Sequence, residues 1–154
     1  MRTLRPASRL RCASRLALGL LLVPLLGCGS TEPDRASGVD GERFSAPGAK
    51  LNEVFSDTVD YDAGDATDWR NVMIGQQGIL TVTCHFDEID AKTVINVRDA
   101  VGNILATQYH NGQPRQELTA KVDEGKYYLE VHAMEEGSAS SYTCEPKFDP
   151  VVWN

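Results

Sequence analysis

The feature that most constrains this chain is a strict two-residue alternation. It is clearest in GILTVTCHF, Gly78 to Phe86, where Leu80, Val82, Cys84 and Phe86 share one face and the residues between them the other. Only an extended strand with one buried face keeps that period. The pattern recurs in TVINVR, ILATQYH, QELTAKV, KYYLEVHA and SYTCEPKF, with weaker versions in KLNEVFSDTV and TDWRNVMI. Gly- and Asn-bearing turns such as DAVGN, NGQP and DEG separate the runs. About eight strands at short regular spacing predict a single all-β domain, a sandwich or a barrel. No segment reads as an amphipathic helix.

The N-terminus obeys different rules. Arg2, Arg5, Arg9, Arg11 and Arg15 precede LALGLLLVPLLG, and no acid stands among them. A basic head and a short apolar run make an export signal. The run falls short of the roughly 20 residues of a membrane span, and Pro24 interrupts it. It closes on Leu25-Leu26-Gly27-Cys28, which resembles the bacterial lipobox. The resemblance implies cleavage before Cys28 and lipidation of its thiol and new amine. Two or more acyl chains hold a protein firmly where one does not. Gly29 rather than Asp follows the cysteine, which by the same resemblance implies the outer membrane. Which face of that membrane the domain occupies is not written in the lipobox.

The expected organisation is a signal peptide over 1–27, a lipidated N-terminus and flexible linker over 28–49, the sandwich over 50–150 and a short tail over 151–154. Residues 29–49 are rich in Gly, Ser, Pro and charge, a composition that gives a coil reaching about 25 Å. The mature chain carries ten basic and twenty-two acidic residues, a formal charge of −12. That excludes a nucleic-acid partner, which needs a basic footprint. It leaves the lipid anchor as the membrane contact, with an envelope protein or a glycan as partner.

Cys84 and Cys144 remain after the signal and the lipid site are set aside. Both fall on the apolar parity of their strands, in an oxidising compartment, so a buried disulfide is expected. The densest acidic stretch, SDTVDYDAGDATDW, offers Asp60, Asp62, Asp65 and Asp68 as candidate calcium ligands. An EF-hand is excluded, because Asn71 stands where the bidentate Glu would be. Asp87, Glu88 and Asp90 form a second acidic group. Trp69 and one of Tyr127 and Tyr128 are expected in the core. His85 and His132 are expected to face solvent. Cys84-His85 is no nucleophile–base pair, since neighbours on a strand point to opposite faces. G-x-S-x-G, H-E-x-x-H and phosphate-loop patterns are missing from the sequence, so no enzyme is expected.

Over about residues 65–147, DATDWRNVMI, GQQGILTVTC, VINVRDAVGNILATQ, VDEGKYYLEVHA and SSYTCEP resemble the bacterial pre-peptidase C-terminal domain. Asp99, Gly102, Asn103, Gly125, Tyr127, Tyr128 and Tyr142 fall on positions of that family's pattern. The resemblance implies an eight-stranded jelly-roll-like sandwich that is not itself catalytic, and a family whose relatives bind matrix and calcium. Here no peptidase precedes the module. Asp90 to Thr93, DAKT, replaces the family's D-L-D, which weakens the calcium inference.

Overall fold

The computed structural model describes residues 34–152. The signal segment, Cys28, Trp153 and Asn154 lie outside them. Eight strands form: β1 Phe55–Asp60, β2 Thr67–Ile74, β3 Gly78–Phe86, β4 Thr93–Arg98, β5 Ile104–Tyr109, β6 Arg115–Val122, β7 Gly125–Ala133 and β8 Ala139–Pro150. They pair antiparallel into two four-stranded sheets, ordered β1-β8-β3-β6 and β2-β7-β4-β5. That interleaved order is a jelly roll. Among the described residues no helix is long and apolar enough to cross a membrane.

Alternation decides what faces inward. In β3 and β6 the pattern is nearly perfect, and Leu80, Val82, Leu118, Ala120 and Val122 are buried between the sheets. Val72, Ile74, Ile95, Val97, Leu129 and Val131 meet them from the second sheet. Cys84 and Cys144 sit directly opposite in the β3–β8 ladder, with Cα atoms 4.1 Å apart, and form the expected disulfide. Gly78 opens β3 where a side chain has no room: a Cβ there would lie 2.3 Å from the Asp149 carbonyl oxygen, within the β3–β8 ladder.

Strands β4 and β7 break the alternation, being buried on both faces along most of their length. On β4 and β7 the outer side chains Asn96, Arg98 and Glu130 are covered by their bonds to one another, and Arg43 of a segment the sequence did not announce packs over Tyr128. Residues 34–49, expected as a coil, lie along the open edge of β2. Trp69 N–H donates to the Asp40 carbonyl at 2.7 Å and Asn71 N–H to that of Pro47 at 2.8 Å, while Ala49 N–H donates to the Asn71 carbonyl at 2.7 Å. Asn71 Nδ2 donates to the Ala46 carbonyl at 2.6 Å. Within this strap Arg43–Ser45 make one 3-10 turn. Composition cannot reveal such a strap, because backbone groups bonded to a sheet edge need no apolar side chains. Of the expected linker, residues 28–33 lie outside the described residues.

One further expectation changes. Trp69 is not in the core; it stands on the outer face of the β2-β7-β4 sheet, half-buried, with Tyr128 beside it. Tyr127 is the core tyrosine. At the C-terminus Val151 N–H donates to the Gln77 carbonyl at 3.3 Å, which carries the β3–β8 pairing one residue past Gly78 and Pro150.

Candidate functional site

The outer face of the second sheet gathers side chains by strand parity. β2 presents Thr67 and Trp69, β7 presents Tyr128, Glu130 and His132, and β4 presents Asn96 and Arg98. Registers set Trp69 opposite Glu130 and Glu130 opposite Asn96. Arg98 Nε donates to Glu130 Oε2 at 2.7 Å and Asn96 Nδ2 donates to the same oxygen at 2.8 Å. Thr107 Oγ1 donates to Asn96 Oδ1 at 2.7 Å. The Arg98 guanidinium lies 5.6 Å from the Trp69 ring centre, and Trp69 meets Tyr128 edge to face at 6.4 Å. Thr67 Oγ1 and His132 Nδ1 are 2.8 Å apart.

The strap supplies the other wall. Arg43 lies over Phe44 and Tyr128, at 4.7 and 5.6 Å from their ring centres. Its guanidinium fills the space where a Cβ on Gly102 would stand, at a φ of +102° that also favours glycine. The result is an open groove of about 650 Å³, lined by Trp69, Asn96, Arg98, Glu130 and His132 below and by Glu42, Arg43 and Phe44 beside. A planar ring edge next to a fixed carboxylate, amide and guanidinium suits a ligand with both apolar faces and hydroxyl or amide groups.

A second cluster lies between the sheets at the β1–β2 side. Asp57 from β1, Asp68 and Arg70 from β2, Tyr142 from β8 and Asp40 from the strap converge. The carboxylates of Asp40, Asp57 and Asp68 come within 4.8 Å of one another. Arg70 forks between two of them, donating through Nη1 to Asp40 at 3.0 Å and through Nη2 to Asp57. Tyr142 Oη donates to Asp68 Oδ2 at 2.7 Å. Asp68 is 2% exposed, and burial pushes its carboxyl up to about 7 against the lowering bond from Tyr142; the charges of Asp57 and Asp65 raise it further. Burial, then the Asp68 charge, holds the Tyr142 phenol far above its usual range. Burial raises Asp57 as well, partly offset by a backbone bond from Thr58 and by Arg70.

Of the four carboxylates expected to gather, only Asp68 joins this group. Asp60 accepts Ala63 N–H at 3.0 Å and closes its own turn. Asp62 accepts Gly137 N–H at 3.2 and 3.1 Å and ties that turn to the β7–β8 loop. Asp65 pairs its backbone with Asp60. Asp87 and Glu88 do approach Asp60, across a shallow groove that Ser140 and Ser141 share. Asp40 was hidden in the supposed linker. The signal that could have exposed the cluster is Arg70, which shares parity with the buried Val72 and Ile74. An arginine on that face requires carboxylates. His85 is exposed as expected, whereas His132 is half-buried in the groove and His110 packs on Phe86 at 5.3 Å.

The pH dependence has a definite sign. A carboxyl raised on folding binds its proton more tightly in the native chain, so its contribution is fully present below the unfolded value of 3.8 and is lost as pH rises through about 7. Stability is therefore expected to fall between about pH 4 and pH 7, and Asp68→Asn is expected to flatten that part of the profile in urea unfolding. A variant that keeps the wild-type slope would assign the dependence to other groups.

No family model matches the chain, and no curated protein does. Solved structures do. The pre-peptidase C-terminal domain of a collagenase from Bacillus anthracis superposes with a TM-score of 0.58 at 19% identity, over 66% of this chain and 94% of that domain. The fold is that of a pre-peptidase C-terminal domain. A periplasmic inhibitor of g-type lysozyme from Aeromonas hydrophila aligns over 68% of this chain and 96% of its own, at 11% identity and a TM-score of 0.45. Within the pre-peptidase C-terminal fold, the groove lies on the outer face of the β2-β7-β4-β5 sheet and the carboxylate cluster lies between the sheets.

Proposed function

We propose that this chain is a lipid-anchored protein of the bacterial outer membrane whose sandwich is a non-catalytic binding module, and that its ligand site is the groove over β2, β7 and β4. The observation that carries the reading is the convergence of Trp69, Asn96, Arg98 and Glu130 on one open face, with hydrogen bonds already fixing the polar groups. Groups held before the ligand arrives lose little freedom on binding. The mixture of ring edge, carboxylate, amide and guanidinium fits a glycan better than an apolar peptide. Charges in the groove are mixed, with Asp34, Glu42 and Glu130 against Arg43 and Arg98, so an uncharged or zwitterionic ligand is favoured over a polyanion.

Calcium fits the carboxylate cluster poorly. The ion takes six to eight oxygens. Here Arg70 already binds one oxygen each of Asp40 and Asp57, and Asp68 holds its proton up to about pH 7. We propose that Arg70 supplies the positive charge at this point of the fold.

The anchor is tested in a Gram-negative host by comparing wild type with Cys28→Ala. Wild type is expected in the membrane fraction and the variant in the soluble fraction or unprocessed. Protease added to intact cells then reports orientation. Cleavage favours a displayed module that meets external glycans or proteins; protection favours a periplasmic partner, as an anchoring subunit of an envelope assembly would have. Equal fractionation of the two proteins would rule out the lipid anchor.

A further inference from the structure

We propose that β5 is a self-pairing edge through which two copies of this chain join their second sheets. The lateral edges of the two sheets are treated differently. The edge of β2 is bonded to the strap. Strand β6 carries Arg115, Glu117 and Lys121 on its exposed face, the usual protection of an edge against unwanted pairing. Strand β5, ILATQY, has no charged residue and pairs only with β4. Around it Val101, Ile104, Leu105 and Tyr109 are 76, 51, 43 and 60% exposed, the densest group of exposed apolar side chains along the described chain.

The backbone defines what would fit. His110 N–H donates to the Thr93 carbonyl at 2.9 Å, and the β4–β5 register sets these two residues opposite each other. Bonded pairs alternate in an antiparallel ladder. Ala106, Gln108 and His110 therefore direct their peptide groups to β4, and Thr107 and Tyr109 direct theirs to the open side. The ladder slips by one residue at Leu105, since Val97 faces Ala106 and Arg98 faces Ile104. The regular part of the edge is thus Ala106 to His110, and it complements itself. With Gln108 of each copy opposite its twin, Thr107 of one exchanges both bonds with Tyr109 of the other, twice over. Both bulges stay outside the paired segment. The Tyr109 carbonyl already accepts Gln108 Nε2 at 2.6 Å and would share its second lone pair.

Charge selects the same edge. Two copies, each with ten basic and twenty-two acidic residues from Cys28 onward, repel over most of their surfaces, and a charge-free strand offers a close approach. The pair would be isologous, the commonest symmetry for two copies. Its axis stands normal to the sheet, so both ligand grooves open on the same side of a continuous eight-stranded sheet.

The test is sedimentation of the full chain in density-matched detergent. Wild type is expected to double in mass between about 5 and about 500 µM, the range of a small interface. The variant pair Thr107→Lys with Tyr109→Lys, and likewise Thr107→Glu with Tyr109→Glu, places like charges opposite each other. Each doubly substituted chain is expected to stay monomeric. Mixed one to one, they are expected to form a heterodimer, because every facing pair is then of opposite sign. Both residues are exposed; loss of the Thr107 Oγ1 bond to Asn96 is expected to lower the melting temperature of each doubly substituted chain by a few degrees while the unfolding transition stays cooperative. A wild type that is monomeric at about 500 µM, a lysine variant that still dimerises, or a mixture that stays monomeric would each overturn the proposal.

Discussion

Arg70→Met is expected to destabilise the domain by about 3 kcal/mol, the cost of leaving mostly buried carboxylates without their cation. The Arg70 side chain is 13% exposed, and Asp40 and Asp57 are 18% and 29% exposed. Their attraction is thus little screened by water, unlike that of a surface pair. The loss has two parts. Asp57 and Asp68 are left between the sheets with each other, Tyr142 and the Thr58 backbone N–H, and with no cation. Asp40 loses the contact that pins the strap, so backbone bonds from Trp69 and Asn71 to the strap fray with it. Urea unfolding of Arg70→Met, alone and combined with Asp40→Asn and Asp57→Asn, separates charge from packing. The triple variant is expected to recover most of the loss. A single variant that costs less than about 1 kcal/mol would show that the cluster is solvated, as surface pairs are.

Replacing both Cys84 and Cys144 by serine is expected to cost about 4 kcal/mol. The bridge closes a loop with a sequence separation of 60, and closing such a loop in the unfolded chain removes entropy that the reduced chain regains. Both cysteines are almost fully buried at the centre of the β3–β8 ladder, so two buried hydroxyls add to the loss. For a domain of this size the thermal midpoint is expected to fall by about 15 °C. Calorimetry of the double-serine variant checks this. Equal midpoints would mean that the unfolded chain is already constrained in that region.

What the sequence made legible follows from what strands require. GILTVTCHF and QELTAKV alternate in the chain and alternate in burial, so β3 and β6 were readable residue by residue. The disulfide followed from the even cysteine pair, the oxidising compartment and the shared apolar parity. β4 and β7 were readable as strands but not as doubly buried ones, because their outer side chains are covered by cross-strand bonds among Asn96, Arg98 and Glu130 and by Arg43 from a segment whose composition reads as coil. Trp69 was misplaced for a different reason. A large aromatic in a strand suggests core, but its parity is that of Thr67 and Asn71, opposite to Val72 and Ile74. The acidic residues were visible and their partners were not. Carboxylates close in sequence at Asp60, Asp62 and Asp65 separate into turn contacts, while Asp40, Asp57 and Asp68 come together from three elements. Likewise Asn96, Arg98 and Glu130 become a network only through the β4–β7 register.

The most direct test of the account is ligand mapping on the groove. Amide and side-chain NMR shifts of the ¹⁵N-labelled chain would be followed during titration with a panel of uncharged and zwitterionic oligosaccharides. Binding is predicted for at least one class, with the largest shifts at Trp69, Asn96, Arg98 and Glu130. Trp69→Ala is predicted to weaken that ligand about tenfold, a loss of about 1.4 kcal/mol, while the melting temperature changes little. Shifts centred on the opposite sheet, or an affinity unchanged in Trp69→Ala, would contradict the assignment of this face as the binding site.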